Sequence, residues 1–561
     1  VFFFPVRASS DQTVEPVFSE DLAVFTSGIL PIWAIQGSGD KSPYIGRTET
    51  TSGIITGIFP ELDGMFLQSQ DDDQNVSTSN GIFIYLDNIS VPNSLERGML
   101  INVNGLITER SGQTEVQVSD EEDITIISTT NLLDTIAPSP LSPPAEEGAL
   151  AYFEAREGML VSLDSYAVAV GPTNRFGETP LFPVSLAEFL VSGAPLLYRG
   201  MEPLNDSIIF LDDGSFAAYT SGDELPLALS TGDVVSTVSG PLAFTFGNYK
   251  IEPADISQIT IEPSTYADQQ VEQRPEQEGN QVSIATFNVE NLFDPFDPHP
   301  SSPDLPSLEE YDVKLSKLSS SIALMGFPDI IAVQEAENID VLEDLAEMIL
   351  SEADVRYTAH LLEGTDSRGI DVGYLTRESV VVESLTQWPA PEGVTSRDPL
   401  MLKGTIQTDS INQPIVLINN HFTSLAGGEE NTLPRRIAQA EWNVGLVEQV
   451  QAENPEAAVV VLGDLNSFRG TDPLNVLEVP LNHVYDGLEQ SDSVRLPYTY
   501  IFEGVAQSLD HILVSDNLFE RLVDVYALPI NAEYPLQPLG DAGPFRSSDH
   551  NPLIAVFEFD E

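Results

Sequence analysis

Eight side chains in the second half of the sequence have types that could do chemistry together: Asn288, Glu335, His421, Asp464, Asn466, Asp510, Asp549 and His550. Their donors are hard oxygens and imidazole nitrogens, and the chain has no cysteine to offer a thiolate. Oxygen donors of this kind suit Mg²⁺, Mn²⁺ or Ca²⁺ rather than a structural zinc. Two histidines beside carboxylates that could orient one of them suit proton transfer near neutral pH. The sequence has no Gly-x-Ser-x-Gly nucleophile elbow and no Gly-x-x-x-x-Gly-Lys phosphate loop. What remains is metal-assisted hydrolysis of a phosphate ester with water as nucleophile.

These residues must be positioned by strands. Four short apolar runs end in polar residues: "IATF" before Asn288 and Glu290, "DIIAV" before Gln334 and Glu335, "IVLI" before Asn419, Asn420 and His421, and "VVVLG" before Asp464 and Asn466. Ligands in α/β sheets gather outside the carboxyl ends of strands, so four polar tips imply one site at one edge. Two runs invert the order: Asp510 and His511 precede "ILVS", and Asp549 and His550 precede "NPLIAVFEF". Joining the same site requires these strands to run antiparallel to the others, so the sheets should be mixed. Alternation puts Asn288 on the face of Ile284 and Thr286 and makes Glu290 the weaker candidate. His511 reads as structural. Helical periodicity over 308–325, 340–352 and 433–452 separates the runs and predicts an α/β domain.

The rest of the chain reads as β structure. Residues 1–135 hold short alternating runs at 51–59, 64–70, 81–86, 98–107 and 114–118, as in a small barrel or sandwich. A proline-rich stretch, 133–150, reads as a linker. Runs at 158–170, 206–216 and 231–251 predict a second β module over 150–263. The polar stretch 266–281 marks the domain boundary before 282. "QDDDQNVSTSN" (70–80) places Asp71, Asp73 and Asn75 at alternating positions, as in a Ca²⁺ loop, but lacks the glycine and distal glutamate of an EF-hand and reads as a hairpin turn. The β modules show few basic residues and no aromatic platform, which favours a structural or accessory role over binding of single strands.

The composition is extreme in charge: 88 acidic against 23 basic residues, a net charge of −65. Self-repulsion on this scale calls for salt, and the reading is a protein of a marine or halophilic environment, with a simply acidic, soluble protein as the alternative. It argues against nonspecific binding to polyanions at low salt but leaves room for a locally positive cleft. Arg368, Arg435, Arg436, Arg469 and Arg546 flank the motifs, and a phosphate substrate needs such charge. No apolar run reaches the ~18 residues of a membrane span. "VFFFPVRASS" (1–10) reads either as the tail of a trimmed secretion signal or as a strand.

"IATFNVENLF", "DIIAVQEAEN", "SRGIDVGYLTR", "INNHFTS", "VVVLGDLNSF", "YTYIFEG", "SLDHILVS" and "SSDHNP" together resemble the endonuclease/exonuclease/phosphatase superfamily, in its order, across about 282–559. More narrowly, "IWAIQGSGDKSPYIGRTETTSGIITGIF" (32–59) and "GMFLQSQDDDQNVSTSNGIFIY" (64–85) make the chain similar to large secreted bacterial nucleases with an OB-like module ahead of the nuclease domain. The resemblance implies an OB-like module within 1–135 and a catalytic domain (282–561), an α/β four-layer sandwich of two mixed sheets flanked by helices. With the second β module read from the strand pattern at 150–263, the chain is expected to carry two all-β, OB-like or barrel modules ahead of the catalytic domain. It implies that Asn288 and Glu335 hold the divalent metal with Asp549 near it. It implies that Asp464 and Asn466 position water and phosphate, that His550 is the general base oriented by Asp510, and that His421 supports the transition state or leaving group. Arg368 and Asp371 fall on a less uniform motif, and His421 has no evident partner carboxylate.

The implied protein is a secreted or cell-surface nuclease acting on DNA and, as a further substrate, RNA. It would use Mg²⁺ or Mn²⁺, with Ca²⁺ as an accessory ion, and no membrane or obligate protein partner. A phosphodiesterase or phosphatase acting on a phospholipid or sugar phosphate, and a non-catalytic matrix-binding protein, stay open at this level.

Overall fold

A computed structural model describes residues 28–559 except 72, 146, 164–165, 184–194, 202, 221, 273–279, 297–304, 408–410, 491–497 and 542. The amino-terminal stretch 1–10 lies outside the described residues. The chain is multidomain, β-rich in its first half and built of mixed sheets with helices in its second.

Strands β1 (Thr48–Phe59), β2 (Gly64–Gln68), β3 (Gly81–Leu86), β4 (Leu100–Arg110) and β5 (Gln113–Val118) follow the alternating runs of the sequence, and β6 (Ile124–Ser128) pairs antiparallel with β4. The twelve-residue β1 pairs with both β2 and β4, which closes the order β1-β2-β3-β5-β4 into a five-stranded barrel. Alternation fills it: Ile101, Val103 and Ile107 of β4 face Ile55, Leu67, Ile84 and Val116. Residues 73–80 lie in the β2–β3 connection, where polar groups bond one another. The Asp73 carboxylate accepts from Asn75 N and Thr78 Oγ1, as in a solvated hairpin loop.

A nine-stranded sheet spans Ser139 to Glu262. The proline-rich segment is more than a linker, because Ser139–Leu141 pairs with Leu160–Leu163 at the edge of this sheet. Residues 266–272 form a helix rather than an irregular boundary.

In the second half, two six-stranded sheets share one core. The first has the order β9-β10-β8-β7-β18-β17, where β7 is Gln281–Leu292, β8 Ile330–Ala336, β9 Thr358–Leu361, β10 Asp371–Thr376, β17 Leu522–Ala527 and β18 Leu553–Glu558. The second has the order β11-β12-β13-β14-β16-β15, where β11 is Val380–Gln387, β12 Leu400–Gln407, β13 Asn412–His421, β14 Ala458–Asp464, β15 Asn482–His483 and β16 Asp510–Val514. Each centres on a parallel pair, β7–β8 and β13–β14, and β18 and β16 join antiparallel. Both faces of these strands are covered, so the runs are nearly continuously apolar. Ile284, Ala332, Leu417, Val460 and Ile512 fill the space between the sheets. The outer face of the first carries α1 (Leu308–Met325) and α2 (Ile339–Ala353). The outer face of the second carries α3 (Glu429–Glu453). Helix α1 starts at a Ser307/Glu310 capping box and stops at Gly326 with φ +87°.

A buried amide ladder locks the two sheets in register just below their polar tips. Thr286 Oγ1 donates to Gln334 Oε1 (3.2 Å), Gln334 Nε2 to Asn419 Oδ1 (2.8 Å), and Asn419 Nδ2 to the carbonyls of Val333 and Gly373 (2.9 and 2.8 Å). Gln334 and Asn419, which the sequence presented as chelating tips, are spent on this ladder. Asn420 is spent on a reciprocal pair with Asn443.

Candidate active site

Strand parity decides which polar tips meet. On β14 and β16, Val460, Leu462, Ile512 and Val514 face the space between the sheets. Asp464 and Asp510 continue those faces into the site, while His511 points the other way, with Leu513. On β7, Asn288 follows Ile284 and Thr286 inward, and its Nδ2 donates to Asp464 Oδ2 across the sheets (3.2 Å). Glu335 should face outward by the same parity. A break in the β8–β10 register at Gln334/Ala336, with Glu335 at φ +66°, turns it instead, so that Oε1 lies 3.8 Å from His421 Nε2. Re-aiming a side chain is what a bulge beside a site does. Glu290, Asn291, Asn466 and Arg546 are also left-handed, so backbone strain gathers around the site.

The clearest side-chain pairing in the cluster is a dyad. His550 Nδ1 lies 2.8 Å from Asp510 Oδ2, both side chains nearly sealed from solvent. Burial disfavours the charged imidazole, but the carboxylates of Asp510, Asp549 and Asp464 outweigh it and hold the His550 pKa well above the ordinary histidine value. Asp510 takes Nδ1–H, so Nε2 is the nitrogen left for chemistry, 4.0 Å from Asp549 Oδ1. His421 is the opposite case. Burial, reinforced by Arg397 and Arg368, holds its pKa well below the ordinary value. Its Nε2 faces Asp464 Oδ2 at 3.5 Å, and its Nδ1 is buried without a hydrogen-bond partner. Burial raises Asp464 to about 7 and Asp549 to about 6. Asn466 Nδ2 donates to the Phe422 carbonyl (3.3 Å), which ties the Asp464–Asn466 turn to the end of β13.

The other expected residues divide. Arg368 is at the rim, 44% exposed, with Nη2 donating to Asn291 Oδ1 (2.7 Å) and lying 3.4 Å from Glu335 Oε2. Asp371 is not joined to the cluster by any hydrogen bond among the described residues. Its Oδ1 accepts from Gly364 N (2.9 Å), fixing the loop that carries Arg368. Arg435 and Arg436 belong to α3, where Arg436 is buried against Thr432 and the Glu429 carbonyl. Arg469 pairs with Asp486. Arg546 pairs with Glu290 (2.6 Å), which gives Glu290 its purpose beside the site.

Arg397 escaped the sequence reading because it sits in no polar strand tip. It donates to the carbonyls of His421 and Phe422 (3.3 and 3.1 Å) and to Asp366 (3.1 Å), holding the His421 end of β13. The sequence also predicts no aromatic platform on the β modules. The structure has an exposed edge-to-face pair there, Phe216 and Phe246, with centroids 6.2 Å apart.

His511 forms a buried chain with His483. His511 Nε2 donates to the Ser467 carbonyl (2.8 Å), His483 Nε2 reaches His511 Nδ1 (2.9 Å), and Tyr485 N donates to His483 Nδ1 (3.2 Å). Each ring nitrogen has one partner only if both rings are neutral. Burial lowers both histidines, His511 to about 4. The unfolded chain then takes up protons near pH 6.5 that the folded chain refuses until about 4, so this contribution is complete above pH 6.5 and lost as pH falls. His511 alone accounts for about 2 kcal/mol between pH 7 and 5. The stability difference between wild type and His511→Asn, measured by urea unfolding, should narrow by that amount over this range. A difference independent of pH would refute the neutral pair.

A family model, "Endonuclease/Exonuclease/phosphatase family", matches residues 283–526, and a second, "Domain of unknown function (DUF8508)", matches 121–261. No curated protein matches the chain. Solved structures similar to it include truncated Caenorhabditis elegans TDP2, at 18% identity, covering 50% of this chain and 99% of that one with a TM-score of 0.38. D. rerio TDP2 complexed with single strand DNA product is 20% identical and covers 50% of this chain and 99% of that one, at 0.36. A mannosyl-6-phosphatase of Bacteroides thetaiotaomicron is 14% identical and covers 49% of this chain and 98% of that one, at 0.36. The match to the endonuclease/exonuclease/phosphatase family lies in the carboxyl-terminal part of the chain, residues 283–526. Members of that family are phosphoesterases or phosphodiesterases and typically use divalent metals such as Mg²⁺.

Proposed function

We propose that the protein is a secreted nuclease, dependent on a divalent metal, that hydrolyses phosphodiester bonds of DNA and, as a further substrate, RNA. The observation that carries the reading is the convergence of Asn288, Glu335, His421, Asp464, Asn466, Asp549 and the 2.8 Å Asp510–His550 dyad at one end of two sheets. The reading takes 282–561 as the catalytic domain, a four-layer sandwich, and 150–263 as an accessory β module. Residues 1–135 are taken as OB-like, supported by the parallel β3–β5 pairing in the closed barrel.

The site's donor chemistry fits a hard divalent ion. Glu335, Asp464 and Asp549 bring oxygen donors, and burial makes the charged forms of Asp464 and Asp549 costly without a cation. Mg²⁺ keeps several waters and takes only one or two carboxylates besides substrate phosphate. Asn288, Glu335 and Asp549 would hold it, and when bound it neutralises charge developing on the phosphate. In the minority neutral form that its raised pKa leaves near neutral pH, His550 takes a proton from the attacking water at Nε2, with Asp510 fixing the ring through Nδ1. Asp464 and Asn466 position water and phosphate, and His421 faces the leaving side. Arg368 at the rim and Arg546 behind it supply cationic charge toward the phosphate backbone, which is contacted without reading sequence.

Incubation with supercoiled plasmid and Mg²⁺ or Mn²⁺ should give nicked and linear DNA, and EDTA should abolish it. A panel adding RNA, sphingomyelin and a sugar phosphate defines the class. Intact plasmid at every salt concentration, with turnover of a lipid or sugar phosphate instead, overturns the nuclease reading.

A further inference from the structure

The second β module reaches into the catalytic domain at the two places where the dyad and the Asp464–Asn466 turn are held. Its strand Leu197–Tyr198 pairs in parallel with Val505–Gln507, which pairs antiparallel with Tyr500–Phe502, so one three-stranded sheet spans both units. The hairpin turn is seated on the module. A Cβ at Gly504 would lie 2.8 Å from Pro180 and 2.9 Å from Val170, and Asn248 Nδ2 donates to Glu503 (3.3 Å). Leu196 packs with Tyr498 and Ala506 beneath it.

This hairpin bears directly on the dyad. The Tyr500 ring lies 4.9 Å from the His550 ring. Thr499 Oγ1 accepts from the backbone N–H of Asp510 (3.2 Å), and its carbonyl accepts from Asn551 N (2.7 Å). The residue after the paired strand, Arg199, reaches the other element. Both its terminal nitrogens donate to Glu429 (2.8 Å each), and its guanidinium lies 3.8 Å from the ring centre of Phe468, two residues after Asn466.

We propose that the second β module is a working part of the catalytic centre, with Arg199 and Tyr500 as positioning residues that set His550 and the Asp464–Asn466 turn. The inference rests on the reading of His550 as the general base. A module that merely tethers would need none of these contacts. A displacement of about 1 Å in a reacting group, caused from a distance, costs up to about 10²-fold in rate.

The test uses the full chain with Arg199→Ala, Gly504→Ala and Tyr500→Leu, scored for kcat, KM, thermal midpoint and the imidazole resonances of His550. The chain has six histidines, so labelled histidine and single replacements assign them. Arg199 is 43% exposed, so its variant folds even if Gly504→Ala does not. Arg199→Ala should lower kcat by about 10- to 100-fold with KM within about 2-fold, and the resonances of His550 should shift in Tyr500→Leu and Arg199→Ala alike. Unchanged kcat together with unmoved resonances in Arg199→Ala overturns the proposal. If the wild type hydrolyses no phosphodiester but the resonances move, the nuclease reading fails while the coupling between module and dyad stands.

Discussion

Phosphodiester hydrolysis by a His550→Gln variant should fall about 10²- to 10⁴-fold, the usual cost of losing a general acid or base, while the thermal midpoint moves by only a few degrees. The two effects separate because the residue does two things. Structurally, the ring occupies the floor of the site against Tyr500 and satisfies one oxygen of a fully buried Asp510. Glutamine keeps polar volume there and can still donate a hydrogen bond to Asp510. Chemically, it has no group that exchanges a proton near neutral pH. Asp510→Asn isolates the other half of the dyad. It keeps the size of the side chain, but an amide cannot anchor Nδ1–H as a carboxylate does. It also removes the first of the charges that keep the His550 proton affinity high. That variant should lose activity comparably, and its loss should grow with decreasing order at His550. Initial rates on plasmid at saturating Mg²⁺, beside melting curves for each variant, check both. Turnover near that of the wild type in His550→Gln would remove His550 from the mechanism and leave His421 as the histidine to test.

The contrast between Asp510 and His511 shows how much of this site the sequence carries. Alternation along a strand is a covalent fact, so the inward face of "LDHILV" follows once Ile512 is known to be core. The same parity brings Asn288, His421 and Asp464 inward. It fails at Glu335, because a bulge reverses the face and nothing in "AVQEAEN" announces a left-handed residue. It fails again for Gln334 and Asn419, which look like ligands but hold the sheets to each other. Their role depends on which residue lies across the sheet-to-sheet space, and that is a tertiary fact. Arg397 is invisible for the same reason, and Tyr500, though it lies in "YTYIFEG", carries no sign of His550, which it meets from fifty positions away. The short strands of the barrel were legible one by one. Its closure was not, because it depends on β1 being long enough to pair at both edges.

Salt should raise the thermal midpoint by several degrees, most steeply between about 0.01 and 0.2 M NaCl, and should raise activity on DNA over the same range. The surface of 25090 Å² shared among 65 net negative charges leaves roughly 390 Å² for each, a mean spacing of roughly 20 Å. The Debye length is about 30 Å at 0.01 M and about 8 Å at 0.15 M, so it crosses that spacing within this interval. Below it, every charge on the fold feels its neighbours. Above it, each feels few, and the compact state no longer stores the repulsion that the expanded chain relieves. Melting runs in EDTA keep the candidate metal site out of the comparison.

Activity should follow for a separate reason. A basic DNA-binding protein loses affinity with salt because it releases counterions from the phosphates. A chain of net charge −65 approaching DNA must first overcome mutual repulsion, and Arg368, Arg397 and Arg546 about one end of the sheets are each paired with an acid, Glu335, Asp366 and Glu290. Screening removes the long-range repulsion at ionic strengths where contacts within the cleft are still short enough to survive. KM for plasmid should therefore fall as NaCl rises from about 0.01 to 0.2 M, the reverse of the basic case, while kcat changes little. A midpoint that is flat from 0.01 to 1 M, together with a KM that rises from the lowest salt onward, would mean that the acidic surface is incidental to how the enzyme works.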